Sequence, residues 1–128
     1  MADGYVAAAI DDLPQLWDGF ANLVREGTGI TAFGVQIMNL PPDYSTKSHD
    51  ETPTGQEELY LGLSGSGAVV IDADGTRLPL DANHLVKVDP QTARTLTSGP
   101  DGLRVLCVGG TPGKAYEVQG WTTGKEDF

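Results

Sequence analysis

The sequence predicts one all-β domain, a sandwich or barrel, on the basis of three observations. Its 128 residues are enough for a single domain with a sizeable core. Seventeen glycines and eight prolines separate short β-prone runs, which is typical of strands joined by turns. In the stretch 56–67, two carboxylates stand at the head of a strongly β-prone run, which is predicted to end in a glycine-rich turn at 65–67. We expect the rest of the chain to form a frame around this stretch.

The N-terminal part is predicted to hold a weak strand, residues 4–10, followed by one α-helix. Asp12 suits the N-cap, Gln15 lies three residues later as in a capping box, and Gly27 provides the end. Apolar residues at helical spacing predict that this helix packs against a sheet. They are Leu13, Leu16, Trp17, Phe20, Leu23 and Val24.

Beyond residue 29 the pattern predicts strands and turns, then a tail. A long strand, 30–40, ends at Pro41-Pro42, and a polar loop, 41–55, follows it. The remaining predictions are a hairpin 68–80 turning at Ala73-Asp74-Gly75, strands 85–88, 93–97 and 103–108, and a turn at 100–102. The tail has Tyr116, Val118 and Trp121 as large anchors, and residues 124–128 are expected to fray. The predicted divisions are 1–29 packing on the barrel, 30–110 forming it, and 111–128 lying over it.

Composition narrows the possible partners and compartments. The net charge of −10 and the pI near 4.3 argue against nucleic acid and anionic membrane surfaces, because both would repel the protein. The only cysteine, Cys107, excludes a disulfide within the chain and is predicted to fill a strand core. Neither a signal peptide nor a long apolar span is evident, so we expect a cytoplasmic protein.

Strand alternation divides the central stretch into two faces. One face carries Glu58, Tyr60, Gly62 and Ser64, and the other carries Glu57, Leu59, Leu61 and Leu63. If the first face is internal, Glu58 is a buried carboxylate that requires a partner. The outer leucine row, Leu59, Leu61 and Leu63, then needs cover from the helix or from a second subunit, so a homodimer is expected.

Two motifs resemble those of the cupin superfamily, over residues 35–110. His49-Asp50-Glu51 stands at the family's His-x-His pair, Glu58 at its glutamate and Gly65 at its glycine. In the second motif, 88–94, Arg94 stands where a further histidine would be. The resemblance implies a small, single-domain bacterial cupin with a degenerate metal-binding motif. The implied fold is a double-stranded β-helix, a jelly-roll-like barrel, to which the residue pattern of the N-terminal part adds one α-helix.

The substitutions in these motifs predict what holds the site together. A guanidinium cannot ligate a metal, because it is permanently charged and has no lone pair to donate. Beside Glu58, Arg94 would instead form a charge-assisted pair, so we predict an ion pair in place of a catalytic metal. In the competing interpretation Arg94 turns outward, and His49, Glu51 and Glu58 hold iron, manganese, nickel or zinc.

The leading functional hypothesis is a small-molecule-binding cupin, and catalysis stays open. Its predicted pocket is lined by Gln36, Met38, His49, Glu51, Glu58, Tyr60 and Arg94. Arg94 would hold an anionic ligand, with Glu58 or His49 as a possible general base. The alternatives are a metal-dependent oxygenase or isomerase and a non-catalytic dimeric structural or interaction module. His84 is predicted to be an exposed turn residue, and the ligand, the product and the pathway are not indicated.

Overall fold

The protein is an antiparallel all-β barrel, as the sequence predicts. A computed structural model describes residues 4–119 and residue 122. After a 3₁₀ turn at Ile10–Asp12, the elements are β1 (Gln15–Leu16), β2 (Ala21–Asn22), α1 (Val24–Thr28), β3 (Gly34–Leu40), β4 (Glu57–Ile71), β5 (Arg77–Leu80), β6 (Leu85–Val88) and β7 (Arg94–Gly110). No helix in this described part is long and apolar enough to cross a bilayer.

Two long strands organise the sheet. β4 and β7 pair antiparallel over nearly their whole length, from Glu57 opposite Gly110 to Ile71 opposite Arg94. On its other side, β4 pairs with β6 through its first half and with β5 through its second half. β7 is continued by β3, then β2, then β1. This arrangement puts Glu58, near the start of β4, beside both β6 and β7.

Alternation along β4 follows the prediction from Glu57 to Gly62 and builds the core, whereas Ser64, predicted on the same face as Glu58, is exposed beyond a register shift. Glu58 and Tyr60 are buried, whereas Glu57 is exposed and Leu59 is 38% exposed. A cluster of buried apolar side chains forms the core between the strands. It comprises Met38, Leu40, Tyr60, Val69, Leu80, Val86, Val88, Leu96, Leu103 and Val105.

The N-terminal strand and the helix predicted for residues 12–26 are corrected by the structure. Residues 4–9 form no strand, and most of the predicted helix is instead a hairpin of β1 and β2. Residues 17–19 turn it, with φ of 52°, 55° and 91°. β2 then adds to the sheet, with Ala21 opposite Met38. The only α-helix in the described part is the short α1, so pairing with β3 overrode the local helical pattern.

Two predicted turns are also corrected. Residues 65–67 and 100–102 lie within the continuous strands β4 and β7. Their glycines adopt the left-handed region, with φ of 73° at Gly65 and 77° at Gly102, and register shifts mark bulges in β4 between Gly62 and Gly67. A long strand bends at such bulges, so the glycines curve the barrel without ending its strands.

The predicted helix was expected to cover the outer leucine row, but α1 does not lie over it. Leu59 is 38% exposed, Leu61 and Leu63 are half-buried, and the neighbouring Leu85 on β6 is 62% exposed. α1 contacts β3 instead. The expected homodimer and the three-part division of the chain stay predictions.

Candidate functional site

Arg94 begins β7 and is anchored by the loop that precedes β4. The backbone N–H of His49 donates to the Arg94 carbonyl over 3.0 Å, and the Arg94 N–H donates to the His49 carbonyl over 2.9 Å. This two-residue bridge fixes His49 beside the strand. The 41–55 loop thereby brings His49 and Glu51 beside Glu58 at the start of β4.

The Arg94 guanidinium is fully buried, and protein acceptors surround it. Nη2 donates to Glu58 Oε1 over 2.8 Å, and Nε donates to the Tyr60 hydroxyl over 3.3 Å. Nη1 donates to the Thr92 carbonyl over 2.8 Å and lies 3.5 Å from the Asp89 carbonyl. Each of the three guanidinium nitrogens therefore donates to an acceptor within the protein, and the charged partner among these acceptors is Glu58.

Glu58 is the acceptor at the centre of the site. Besides Arg94, its Oε1 atom accepts the Tyr60 hydroxyl over 2.5 Å and lies 3.4 Å from His49 Nε2. Burial raises the pKa of Glu58, but the hydrogen bonds from His49 and Tyr60 and the charge of Arg94 outweigh it. The resulting pKa lies below the ordinary glutamate value, so Glu58 is held ionised. For Tyr60, burial and the nearby Cys107 and Glu58 groups raise the pKa well above its usual value.

His49 and Glu51 lie at the outer edge of the site. Their side chains are 26% and 11% exposed, against 7% for Glu58 and none for Arg94. Glu51 Oε2 is 3.4 Å from His49 Nε2, and Glu51 Oε1 accepts the Thr54 hydroxyl over 3.0 Å. Burial and the negative charge of Glu58 raise the pKa of Glu51. The pKa of Glu51 is therefore shifted upward and that of Glu58 downward.

His49, Glu51 and Glu58 form a possible metal-binding group, and the fit can be tested on its surroundings. One ligand atom from each lies within 4.8 Å of the other two. This spacing and the donor types suit a divalent cation. The charge does not, because Arg94 Nη2 is bonded to Glu58. At ~5 Å and an effective dielectric of ~20, a guanidinium and a divalent ion repel by about 7 kcal/mol. The three residues thus offer three metal ligands, but the permanent positive charge of Arg94 lies beside them and opposes the binding of a cation.

Two of the predicted pocket residues are engaged elsewhere. The Gln36 side chain accepts the Val24 backbone N–H over 2.9 Å and donates to Glu26 Oε1 over 3.2 Å. It therefore ties the start of α1 to β3. Met38 is fully buried within the apolar cluster. The structure brings together His49, Glu51, Glu58, Tyr60 and Arg94, and the lining of a ligand pocket by the seven residues stays a prediction.

Sequence reasoning missed two residues beside the carboxylates. Cys107, opposite Tyr60 on β7, is half-buried, and its Sγ lies 3.5 Å from Glu58 Oε2. Burial and the charge of Glu58 raise the pKa of this thiol well above its usual value. Gln119, from the tail, donates to Glu51 Oε1 over 2.8 Å and to Gln56 Oε1 over 3.3 Å. Alternation along the last strand could have indicated Cys107, but no local pattern indicates Gln119.

Other predicted features lie apart from this site or outside the described residues. His84 is exposed, and its Nδ1 lies 2.8 Å from Asp81 Oδ1 in a turn, as its position in the sequence predicts. The tail contacts the barrel through Tyr116, whose ring lies against Gly34, and through Gln119. The predictions for Trp121 and for residues 124–128 fall outside the residues that the structure describes.

Comparisons with known proteins identify the fold. A cupin protein from Bacteroides fragilis shares 21% identity over 91% of this chain and 92% of its own, with a TM-score of 0.67. An RmlC-like cupin protein from Desulfovibrio desulfuricans shares 15% identity over 81% of this chain and 94% of its own, with a TM-score of 0.63. A predicted oxalate decarboxylase from Thermotoga maritima shares 24% identity over 61% of this chain and 66% of its own, with a TM-score of 0.52.

The chain therefore has the cupin fold, and the resemblance read from its two motifs is confirmed at that level. No protein-family model and no curated protein matches it. Within this fold class, the chain is a short all-β cupin barrel whose His/Glu/Glu group lies beside a buried arginine. Since fold does not determine activity, the function has to be argued from the site.

Proposed function

We propose that this protein binds a small molecule at the outer edge of the site, without a catalytic metal. One observation carries the proposal: the fully buried Arg94 donates to Glu58 Oε1 over 2.8 Å. In this proposal the guanidinium balances the carboxylate charge that a metal would otherwise balance. Glu58, Arg94 and Tyr60 then form a rigid floor, and the ligand rests above them.

The exposure of the side chains decides which of them can touch a ligand. Arg94 has no exposed surface, and its donors are bonded to Glu58, Tyr60 and backbone carbonyls. It is therefore poorly placed for the expected role of holding an anionic ligand. His49 and Glu51 are the group members with the most exposed side chains. We assign ligand contact to these two.

A proton-transfer role fits Glu51 better than Glu58. Glu58 Oε1 already has three polar neighbours, and its pKa is lowered. A carboxylate stabilised in this way is a weak base. Glu51 has a raised pKa and lies closer to solvent. If the bound molecule reacts, the proton acceptor is Glu51, with His49 beside it.

The proposal is tested first by elemental analysis of protein purified without chelator. We expect less than a tenth of an equivalent of iron, manganese, nickel or zinc per chain. Stoichiometric metal that is lost in His49→Ala would overturn the metal-free proposal. His84→Ala is the matched control, since its imidazole lies in an exposed turn away from the glutamates.

A second candidate function is a metal-dependent oxygenase or isomerase. The convergence of His49, Glu51 and Glu58 within 4.8 Å favours it, since these are ligands of the kinds used by divalent transition metals. A bound metal would there supply Lewis-acid or redox chemistry. This candidate requires metal to bind despite Arg94, and the same elemental analysis distinguishes it from the first.

A further inference from the structure

The outer face of the sheet carries a continuous group of apolar side chains across β6, β4 and β7. Leu61 on β4 is directly opposite Leu85 on β6 and Leu106 on β7. Leu59 on β4 is directly opposite Val108 on β7. Directly opposite residues of paired strands point to the same face and touch, so these five side chains form one surface, the leucine patch. Within it, Leu85 is 62% exposed and Leu59 is 38% exposed.

The leucine patch continues into a hollow at the end where β4 begins. The hollow has a volume of about 400 Å³, and its apolar walls include Phe33, Leu59, Val108 and Pro112. Single exposed apolar residues are ordinary on a protein surface, but contiguous ones mark interaction sites. A protruding leucine beside an apolar hollow offers both a side chain to bury and a place that receives one. The surface is therefore suited to contact with another apolar protein surface.

The charges around the leucine patch decide which partner fits it. Glu57 and Lys87 are both exposed and both line the hollow, and Lys87 is directly opposite Leu59. The rim thus offers a carboxylate and an ammonium close together, although the chain as a whole has a net charge of −10. An anionic lipid surface would be repelled by that net charge, and a strongly basic protein would meet the ammonium of Lys87 at this rim. The complementary surface is apolar and carries one charge of each sign, which describes the leucine patch itself.

We propose that the leucine patch is the interface of a homodimer and that its occupant is the same patch of a second copy of this chain. A two-fold interface uses one surface twice, so it requires a self-complementary surface. With the two-fold axis between Lys87 and Glu57, each Lys87 faces Glu57 of the other copy while the leucines meet beside them. Glu58 and Tyr60 alternate to the opposite, buried face of β4. The inference therefore goes beyond the proposed ligand function and does not depend on it.

Sedimentation velocity on the full chain tests the interface. At about 100 µM we expect the mass of two chains, with dissociation on dilution. Leu85→Glu should be monomeric at that concentration, because it places a charge in the apolar contact. Leu85→Arg adds the opposite charge and should also be monomeric, which separates loss of the contact from an effect of net charge. Val118→Glu is the matched control, since Val118 is 49% exposed in the tail, and it should stay dimeric.

A charge exchange tests the pairing of the two patches. Lys87→Glu should weaken the dimer at least tenfold, because it sets like charges against each other across the interface. The double variant Lys87→Glu/Glu57→Lys restores one charge of each sign and should recover the wild-type dissociation constant within about threefold. Far-ultraviolet circular dichroism confirms that each variant is folded. A double variant as weak as Lys87→Glu would overturn the pairing of Lys87 with Glu57 across the axis.

Two results would overturn the dimer through this face. One is a monomeric wild-type protein at about 100 µM, which would leave the leucine patch to a different protein. The other is a dimer that both Leu85 variants leave intact, which would place the interface elsewhere. If these variants do not fold, dilution of the wild-type protein provides the test by NMR. The backbone amide signals of residues 59–61 and of β6 should then shift and those of β5 should not, and the reverse pattern would also overturn the proposal.

Discussion

Arg94 Nη2 lies 2.8 Å from Glu58 Oε1, and both side chains are buried between β4 and β7. Register places Arg94 opposite Ile71 at one end of the paired strands and Glu58 opposite Gly109 at the other. The two strands therefore curl, with bulges in β4 between Gly62 and Gly67, so that their opposite ends come together and the two side chains meet inside the barrel. A buried charge pair of this kind is strongly unfavourable to break, because either partner alone is left as an unpaired charge.

The first prediction concerns that pair. Arg94→Met should lower the free energy of unfolding by about 3–5 kcal/mol, since it leaves the Glu58 carboxylate buried and unpaired. The double variant Arg94→Met/Glu58→Met should lose at least ~2 kcal/mol less unfolding free energy than the two single losses added together. Urea unfolding of the four proteins measures this coupling. Additive effects would mean that the two side chains do not depend on each other.

The second prediction replaces the guanidinium with a possible ligand. Arg94→His removes the permanent charge and adds an imidazole to His49, Glu51 and Glu58, which together supply the four ligands usual for zinc. We expect this variant to bind about one zinc ion per chain by calorimetry. Arg94→Gln, which also removes the charge but adds no imidazole, should bind zinc at least tenfold more weakly. Equal binding by the two variants would show that the charge, and not the missing ligand, decides metal affinity.

The third prediction concerns acid stability. The pKa of Glu58 is lowered in the folded protein from an unfolded value near 4.5, so the unfolded state binds more protons between the two values. The stability contributed by Glu58 is fully present above that unfolded value and is lost as the pH falls through the folded pKa. Glu58→Gln should therefore show a shallower loss of stability below about pH 4.5 in urea unfolding at stepped pH.

The stability contributed by Glu51 should depend on pH with the opposite sign to that of Glu58. Its pKa is raised in the folded protein, so its favourable contribution is present below the ordinary value of 4.5 and is lost as the pH rises through the folded pKa. Glu51→Gln should consequently gain stability relative to wild type as the pH rises, whereas Glu58→Gln loses stability. The same sign for both variants would contradict the opposite shifts.

The fourth prediction concerns two glycines with the same backbone conformation. Gly65 and Gly75 both have φ of 73°. An added Cβ at Gly65 would overlap the Gly102 carbonyl oxygen, whereas at Gly75 it meets nothing within 4 Å. Gly75→Ala should cost about 1 kcal/mol from backbone strain alone, and Gly65→Ala at least ~2 kcal/mol more. Thermal or urea unfolding measures the difference, and equal losses would contradict the close approach of β4 and β7.

Local residue patterns predicted much of the barrel and failed at its N-terminus. Residues 12–26 carry an apolar stripe at helical spacing, yet they form a hairpin and then the five-residue α1. A signal was present in Asp18-Gly19, the same dipeptide as the Asp74-Gly75 pair that correctly indicated the β4–β5 turn. The competing reason was tertiary: β2 pairs with β3, and Asn22 Oδ1 accepts the Asn39 amide over 2.7 Å. Helical periodicity cannot report such contacts.

The site was partly predictable for a related reason. The motif positions indicated His49, Glu51, Glu58 and Arg94, and the structure brings these together. Gln36 was expected on the same face, but its amide is bonded to Val24 and Glu26. Which of several partners a polar side chain selects depends on distant elements, and spacing along a strand does not encode it.

By itself, the sequence determined the β class, the strand alternation that turns Glu58 inward, and the presence of a cation where the family motif has a ligand. These are properties of neighbouring residues and of side-chain chemistry, so they can be read without coordinates. Only the tertiary structure decided that the Arg94 guanidinium is buried and paired with Glu58, while His49 and Glu51 lie nearer to solvent. Burial and charge pairing arise between residues far apart in the chain, and they exist only once β4, β7 and the 41–55 loop have packed together.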